Sequence, residues 1–318
     1  MNNLLHIVFC ADRRVLAGLH VAAYSVLASH QGKDATVCFH LFVDGLTAAD
    51  IALLHETLQA AGPPFRLEQH RIDTRAFARF PNMRGSWGTY FRLLAPEMLT
   101  VDRFTYLDVD IVCGLDVADF LSLDLGSHPA GFLAETTIQA GADHSLKARL
   151  PAGTDGPYFN AGVMVVDCPR WREQQVTERC FEFLQTGPAK LWDQTALNYV
   201  LRDNWQPLER RFNCIANWRS NWPAFKAGEY GGKIVHFLDH PKPWDLLGEL
   251  LHPQYALWRS VLDRTKMRGF RSWQAGPGRK FPATKSAWKS YKKVAKDRLL
   301  FSGYSRGWFN RIKGVASD

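Results

Sequence analysis

The sequence predicts an α/β fold organised around a parallel sheet. Two observations carry this. Strand-like apolar runs alternate with helical periodicity through the first hundred residues, and that order calls for parallel strands joined by right-handed crossovers. Further on, Phe104–Cys113 is almost wholly apolar, β-branched or aromatic, the signature of a strand buried on both faces. At 318 residues the chain can hold one large α/β domain with an appendage, or two domains.

Taken in order, Leu4–Ala11 reads as the first strand. Leu16, Leu19, Val21, Ala23, Val26 and Leu27 recur at helical spacing and predict a helix ending at Ser29. Val37, Phe39, Leu41 and Val43 alternate as a strand does over residues 36–43. Thr47-Ala-Ala-Asp50 is capping-box-like and opens a helix to Leu58. Phe65–Gln69 fits a third strand, and Tyr90–Leu94 a short helix closed by Ala95-Pro96. Beyond the 104–113 run, Ala130–Glu135 and Val163–Asp167 predict strands. Asp167 with Pro169 starts a helix through Leu184, Asp193–Arg202 is another helix, and Lys233–Phe237 is a last strand. Arg268–Pro282 is a linker rich in Gly, Pro and basic residues, and the boundary between two regions, 1–258 and 259–318, is expected near Trp258.

The net charge of +8 is unevenly spread. Residues 264–318 hold fifteen Lys/Arg against Asp297 and Asp318, so the tail carries +13 and the remainder −5. Within the tail, Trp288, Tyr291, Val294 and Leu299 recur at helical spacing beside Lys289, Lys292, Lys293 and Lys296. Residues 283–313 therefore fit either an anionic membrane surface or a solvated helix with an ordinary packing face. Nucleic-acid binding has the charge but no supporting motif. No apolar run nears the ~20 residues of a membrane span. The N-terminal apolar stretch is too short, and too soon followed by Asp12-Arg13-Arg14, for a signal peptide. Six scattered cysteines without a CxxC pair read as reduced core thiols, and a cytoplasmic location is expected, free or peripheral on the inner membrane face.

Asp108 and Asp110 interrupt the apolar strand. Unpaired charge there is costly, and two carboxylates on one side of a strand suit a hard divalent ion, which commonly shares its oxygen ligands with phosphates. Two solvated or Arg-paired aspartates at a strand end fit equally well. His236 follows Ile234-Val235 at another strand end, with Lys242 between Pro241 and Pro243 and then Trp244; it is a candidate third ligand, and Lys242 a candidate phosphate contact. Asn160-Ala161-Gly162 leads into a strand, where glycine allows close backbone approach. Asp193-Gln194 opens a helix. Neither GxxxxGK[ST] nor a strand-following GxGxxG is present, so phosphates would have to be held by other means.

Taken together, Ile7–Asp12, Thr89-Tyr90-Phe91-Arg92-Leu93, Tyr106–Asp110, Phe159–Val163, Asp193-Gln194 with Leu197-Asn198, and His236-Phe237 with Lys242-Pro243-Trp244 resemble glycosyltransferase family 8. These are retaining enzymes that include lipopolysaccharide and lipooligosaccharide α-galactosyl- and glucosyltransferases. The resemblance spans roughly residues 4–250. It implies a Rossmann-like mixed sheet of the glycosyltransferase A type over residues 1–258, a UDP-sugar donor (UDP-galactose or UDP-glucose) with Mn²⁺ or Mg²⁺, and a glycan or lipid-linked saccharide acceptor. It implies Asp108, Asp110 and His236 as metal ligands. Ala11 and Asp12 would face the uracil; Arg92, Val109, Asn160 and Ala161 would line the nucleotide sugar; Lys242 would meet the diphosphate. Asp193 would bind sugar hydroxyls and Gln194 would brace the anomeric centre during front-face attack. Three departures stand out: Arg13-Arg14-Val15 after Asp12, Asp239 in the His236–Trp244 segment, and Thr195 after Gln194. The rival readings are a non-catalytic UDP-sugar or glycan binder, and a metal-dependent enzyme of nucleotide phosphoryl or nucleotidyl transfer.

Overall fold

The computed structural model describes residues 3–32, 35–83, 85–216, 230–238, 240–252, 254–272 and 291–292. In chain order the strands and helices are β1 (Asn3–Asp12), α1 (Leu16–Ser29), β2 (Ala35–Asp44), α2 (Ala48–Ala61), β3 (Phe65–Arg71), α3 (Phe91–Met98), β4 (Arg103–Leu107), β5 (Ile111–Cys113), β6 (Ala130–Thr137), α4 (His144–Lys147), β7 (Pro157–Asp167), α5 (Cys168–Glu173), α6 (Val176–Gln185), α7 (Trp192–Val200), β8 (Gln206–Pro207), β9 (Cys214–Ala216), β10 (Ile234–Phe237), α8 (Gly248–Leu251) and α9 (Tyr255–Leu262).

Among the described residues, seven strands form one sheet in the order β3-β2-β1-β4-β7-β6-β8. The half built by β1 to β4 is parallel, as the strand–helix alternation requires. The second half turns mixed, because β7 runs antiparallel to both β4 and β6. A small sheet, β5-β10-β9, stands apart from the large one. Alternate strand residues feed two apolar layers. Ile7, Phe9, Phe39 and Leu41 pack with α1, α2 and α9 on one face. Val8, Phe42 and Tyr106 pack with α3, α5, α6 and α7 on the other. The Thr47–Asp50 capping box is formed in full, with Thr47 Oγ1 accepting from the Asp50 N–H.

Several expectations need correction. The 104–113 run is two strands, broken at Asp108-Val109-Asp110. The expected helix from Asp167 to Leu184 is two helices, divided where Gln175 takes left-handed backbone (φ 51°). The strand expected from Val163 begins at Pro157, so Asn160, Ala161 and Gly162 lie inside it. The helix expected to close at Pro96 continues to Met98; a proline there removes one N–H, and the Leu99 N–H still reaches the Ala95 carbonyl. The connection over residues 138–156 folds onto the body. Buried Leu146 packs with Ile138 and Tyr158, and the Asp143 carboxylate accepts from Tyr158 and Thr195.

All six cysteines are unpaired and five are buried. Burial pushes the Cys113 and Cys168 thiols up to about 12, so they stay protonated and inert. No helix among the described residues is long and apolar enough to cross a membrane. The tail expected over 283–313 lies outside the described residues, except Tyr291 and Lys292.

Helix α9 runs across residue 258. Fully buried Trp258 packs against Trp244, and Phe270 stands edge-on to it at 6.1 and 6.3 Å between ring centres. Residues as late as Phe270 therefore belong to the same core as α1. We expect Trp258→Ala to cost about 3–5 kcal/mol of unfolding free energy, as large-to-small changes in a close-packed core do. Urea denaturation of the full chain measures it; a loss below about 1 kcal/mol would place this helix outside the cooperative core.

Candidate active site

The site lies where the chain passes from the large sheet to the small one. The Asp108 N–H donates to the Gly162 carbonyl on β7 (2.8 Å), and the Phe237 N–H on β10 donates to the Asp110 carbonyl (2.8 Å). One carboxylate is therefore anchored to each sheet. Antiparallel pairing sets His236 opposite Ile111, just after Asp110. Carboxylate oxygens of Asp108 and Asp110 and a ring nitrogen of His236 all lie within 4.8 Å of one another. His236 Nε2 is 3.2 Å from Asp110 Oδ1 and 3.7 Å from Asp108 Oδ2.

Gly162 makes this convergence possible. A Cβ at this position would stand 2.1 Å from His236 Cε1 and 2.8 Å from Asp108 Oδ2. The sequence suggested that this glycine admits a ligand to the backbone. The structure shows that the space is filled by the His236 ring and the Asp108 carboxylate.

Two cations, buried Arg92 and half-buried Lys242, balance the acids. Arg92 is 7% exposed and lies between Asp108 and Asp193. Its Nη2 donates to Asp108 Oδ1 (2.9 Å) and its Nη1 to the Ala161 carbonyl (2.6 Å). Its Nε donates to the Thr89 carbonyl and lies 3.0 Å from Asp193 Oδ2. The guanidinium also covers the Tyr106 ring at 4.3 Å, and the Tyr106 hydroxyl donates to Asp108 (2.5 Å). Lys242 Nζ donates to Asp110 Oδ2 (2.5 Å) and the Phe237 carbonyl (2.6 Å). Burial alone would raise the Asp110 carboxyl; the Lys242 ammonium beside it holds it well below the usual range. Asp193 is also buried. There burial dominates over Arg92 and the Thr89 hydroxyl, and its carboxyl is raised.

A chain of amides fixes the imidazole. The Gly162 N–H donates to Asn160 Oδ1, which also accepts from Asn213 Nδ2 (3.0 Å). Asn160 Nδ2 donates to Glu135 Oε2. Asn213 must then accept through Oδ1, 2.9 Å from His236 Nδ1, which makes Nδ1 the protonated ring nitrogen. Nε2 is left with a lone pair aimed at two carboxylates, buried and without a directed hydrogen bond to any described residue. A lone pair facing two anions is repulsive until a cation stands between them. Two hard oxygens and one oriented imidazole form a donor set suited to a divalent metal ion.

The other expected site residues lie around this centre. Ala161 donates its N–H to Gln194 Oε1 (3.0 Å), and Gln194 Nε2 donates to the Tyr158 hydroxyl. The Gln194 amide is thus held at both ends, on a half-buried side chain. Asp193 is not the N-cap of its helix, a position that Leu191 holds; its carboxylate turns inward to Thr89 and Arg92. Ala11 is buried at the end of β1. Asp12 accepts from the Arg14 N–H and guanidinium and from Ser86 Oγ, so the Arg13-Arg14 departure occupies this carboxylate. Thr195, another departure, donates to Asp143 (2.6 Å). Val109 is buried between the two aspartates, its carbonyl close to Gly18. Asp239 lies outside the described residues. The sequence reading missed Asn213 and Glu135. An asparagine one residue before a short strand carries no spacing signal, and its role appears only once the small sheet is assembled.

The family model for glycosyl transferase family 8 matches residues 6–248. General stress protein A of Bacillus subtilis is 27% identical over 82% of this chain and 96% of its own length. Lipopolysaccharide 1,3-galactosyltransferase of Salmonella typhimurium is 24% identical, covering 79% of this chain and 76% of its own. Among solved structures, galactosyltransferase LgtC, in complex with donor and acceptor sugar analogs, aligns with a TM-score of 0.64 at 24% identity, over 82% of this chain and 96% of its own.

Two substitutions test the site. Asn213→Leu should weaken Mn²⁺ binding about 10–100-fold, as loss of a ligand-orienting partner does. Electron paramagnetic resonance of free Mn²⁺ reads it; undiminished binding would reduce Asn213 to a packing residue. Gly162→Ala should destabilise by about 1–3 kcal/mol through overpacking and abolish Mn²⁺ binding, and retained binding would contradict the close approach described above. With its fold, its converging acid–imidazole centre and its family match, the chain belongs to glycosyl transferase family 8 and is a glycosyltransferase.

Proposed function

We propose that the protein transfers a hexose, galactose or glucose, from a UDP-sugar to a glycan or lipopolysaccharide acceptor with retention of configuration. The observation that carries this reading is the convergence of Asp108, Asp110 and His236 beside Lys242. Relatives named lipopolysaccharide 1,3-galactosyltransferase and, in Escherichia coli, lipopolysaccharide 1,2-glucosyltransferase support the choice of sugar and acceptor class.

Asp108, Asp110 and His236 would hold Mn²⁺ or Mg²⁺ against the diphosphate. The ion, when bound, offsets the charge that develops on the departing diphosphate. With Asp110 engaged in holding the ion, Lys242 would no longer be needed as its counter-charge, and its ammonium would be placed to meet a phosphate. Arg92 acts from behind, holding Asp108 and Asp193 in place, and Asn160 holds Asn213. Val109, Ala161 and the end of β1 at Ala11 and Asp12 line the approach for the nucleotide.

Gln194 is the residue proposed to face the reacting carbon. An amide oxygen is a poor nucleophile, and this one already accepts from Ala161 N–H. It fits an electrostatic brace for an oxocarbenium-like centre better than a covalent intermediate, with the acceptor attacking on the face that the diphosphate leaves.

The basic region 283–313 is proposed to dock at an anionic membrane surface, where a lipid-linked acceptor would be found. Because Met267 and Phe270 pack on the core, a cut after residue 272 tests this better than an earlier one. Deleting 273–318 should abolish sedimentation with anionic vesicles while UDP release in solution continues. Undiminished vesicle binding would refute the docking role.

The enzymatic reading is tested by metal-dependent release of UDP from a panel of UDP-sugars. UDP-galactose or UDP-glucose should be turned over, with transfer exceeding hydrolysis once an acceptor is added. Lys242→Ala should lower kcat about 10²–10³-fold, as loss of a positioned charge at a leaving group does, with Gln194→Ala also impaired. Saturable UDP binding without turnover would instead indicate a non-catalytic binder, and release of inorganic phosphate or nucleotide monophosphate another nucleotide chemistry.

A further inference from the structure

A second set of metal-type side chains stands on the outer strands β2 and β3 of the large sheet. His40 on β2 pairs in register with Glu68 on β3, and His70 follows two residues later on the same face. His40 Nδ1 is 3.2 Å from His70 Nε2 and 3.3 Å from Glu68 Oε2. Ligands about 2.0–2.1 Å from a tetrahedral zinc ion stand about 3.3 Å from one another, so both spacings are those of a tetrahedral edge. All three ligand atoms lie within 4.8 Å of one another.

Neighbouring groups orient these three. His40 Nε2 faces His6 Nδ1 at 2.9 Å, so a proton on Nε2 leaves the Nδ1 lone pair toward Glu68 and His70. Cys38 Sγ contacts Glu68 Oε1 at 3.6 Å. The His70 ring is stacked on Phe42, 4.6 Å between centres. Burial lowers the pKa of His6, His40 and His70, that of His40 to about 4, so the imidazoles are neutral, as ligands must be, at neutral pH. His40 is buried while the Glu68 side chain is 51% exposed, which gives a deep ligand and an entry path. His40 is level with Val8 and, through it, with Tyr106, and β2 and β3 lie two and three strand spacings from β4, about 10 and 14 Å, so the cluster is separate from the aspartate centre.

We propose that His40, Glu68 and His70 form a second cation site, selective for a borderline transition ion such as Zn²⁺, with His6 and Cys38 as orienting partners and the fourth position open to water. Two nitrogens and one carboxylate oxygen match zinc better than Mg²⁺ or Ca²⁺, which favour all-oxygen shells. The ion ties edge strand β3 to β2, a strand otherwise held along one side only.

The test is Zn²⁺ titration of the chelator-stripped full chain by isothermal calorimetry at micromolar protein. Two equivalents are expected, one on the aspartate centre and one here. Glu68→Gln/His70→Gln, on the half-exposed edge strand, should bind one and retain Mn²⁺-dependent turnover. Asp110→Asn should also bind one, retained on β2–β3. In that variant a hundredfold excess of Zn²⁺ over its dissociation constant should raise Tm by about 3–6 °C. A single equivalent in the wild type that vanishes in Asp110→Asn would overturn the proposal. So would two equivalents surviving in the Glu68/His70 double variant. The calorimetric equivalents are counted without any sugar nucleotide, so their failure leaves the transferase reading untouched.

Discussion

Like charge concentrated out of water is the constraint around which this structure is organised. Asp108, Asp110 and Asp193 are packed at one sheet-to-sheet junction, the last two almost fully buried. Carboxylates in such surroundings must be matched by cations with good hydrogen-bond geometry, or they will not remain ionised. Arg92 matches Asp108 and, in part, Asp193; Lys242 matches Asp110. Removing one partner of a buried pair typically costs about 3–5 kcal/mol, so Arg92 is as much a folding residue as a functional one. Lys242, by contrast, comes from a loop beyond β10.

The break between β4 and β5 turns this charge problem into a site. A continuous strand would have kept Asp108 and Asp110 on one sheet. Handing the chain from the large sheet to the small one attaches Asp108 to β7 and Asp110 to β10, and β10 also carries His236. The geometry is then tightened by a missing side chain at Gly162 and by the amide chain Glu135–Asn160–Asn213. Together they keep a basic imidazole nitrogen aimed at two carboxylates, an arrangement that gains from a cation. Tyr106 and Thr89 supply the remaining donors.

Much of this was legible in the sequence, for identifiable reasons. The alternation of Val37 to Val43, the Thr47–Asp50 cap and the helical spacing of α1 are local signals, and the elements they predict are present. Asp108, Asp110 and His236 could be named because polar, ionisable residues at the ends of apolar strands are conspicuous. What could not be read is non-local. The break at Asp108–Asp110 depends on β10 arriving from over a hundred residues away to take up the Asp110 carbonyl. The inward turn of Asp193 depends on Arg92, and the left-handed residue Gln175 splits a helix whose apolar spacing runs on unbroken. Asn213 has no local signature. Gly162 was noticed, but its reason, room for His236 rather than for a ligand, required the small sheet.

The central claim is that Asp108, Asp110 and His236 share one divalent cation. Anomalous diffraction at the manganese edge, on crystals of the full chain grown with Mn²⁺ and UDP, tests it most directly. A peak within bonding distance of all three side chains, with the UDP phosphates beside it, is the predicted result. Strong density for UDP with no manganese peak between these residues, or with the peak bonded elsewhere, would contradict it.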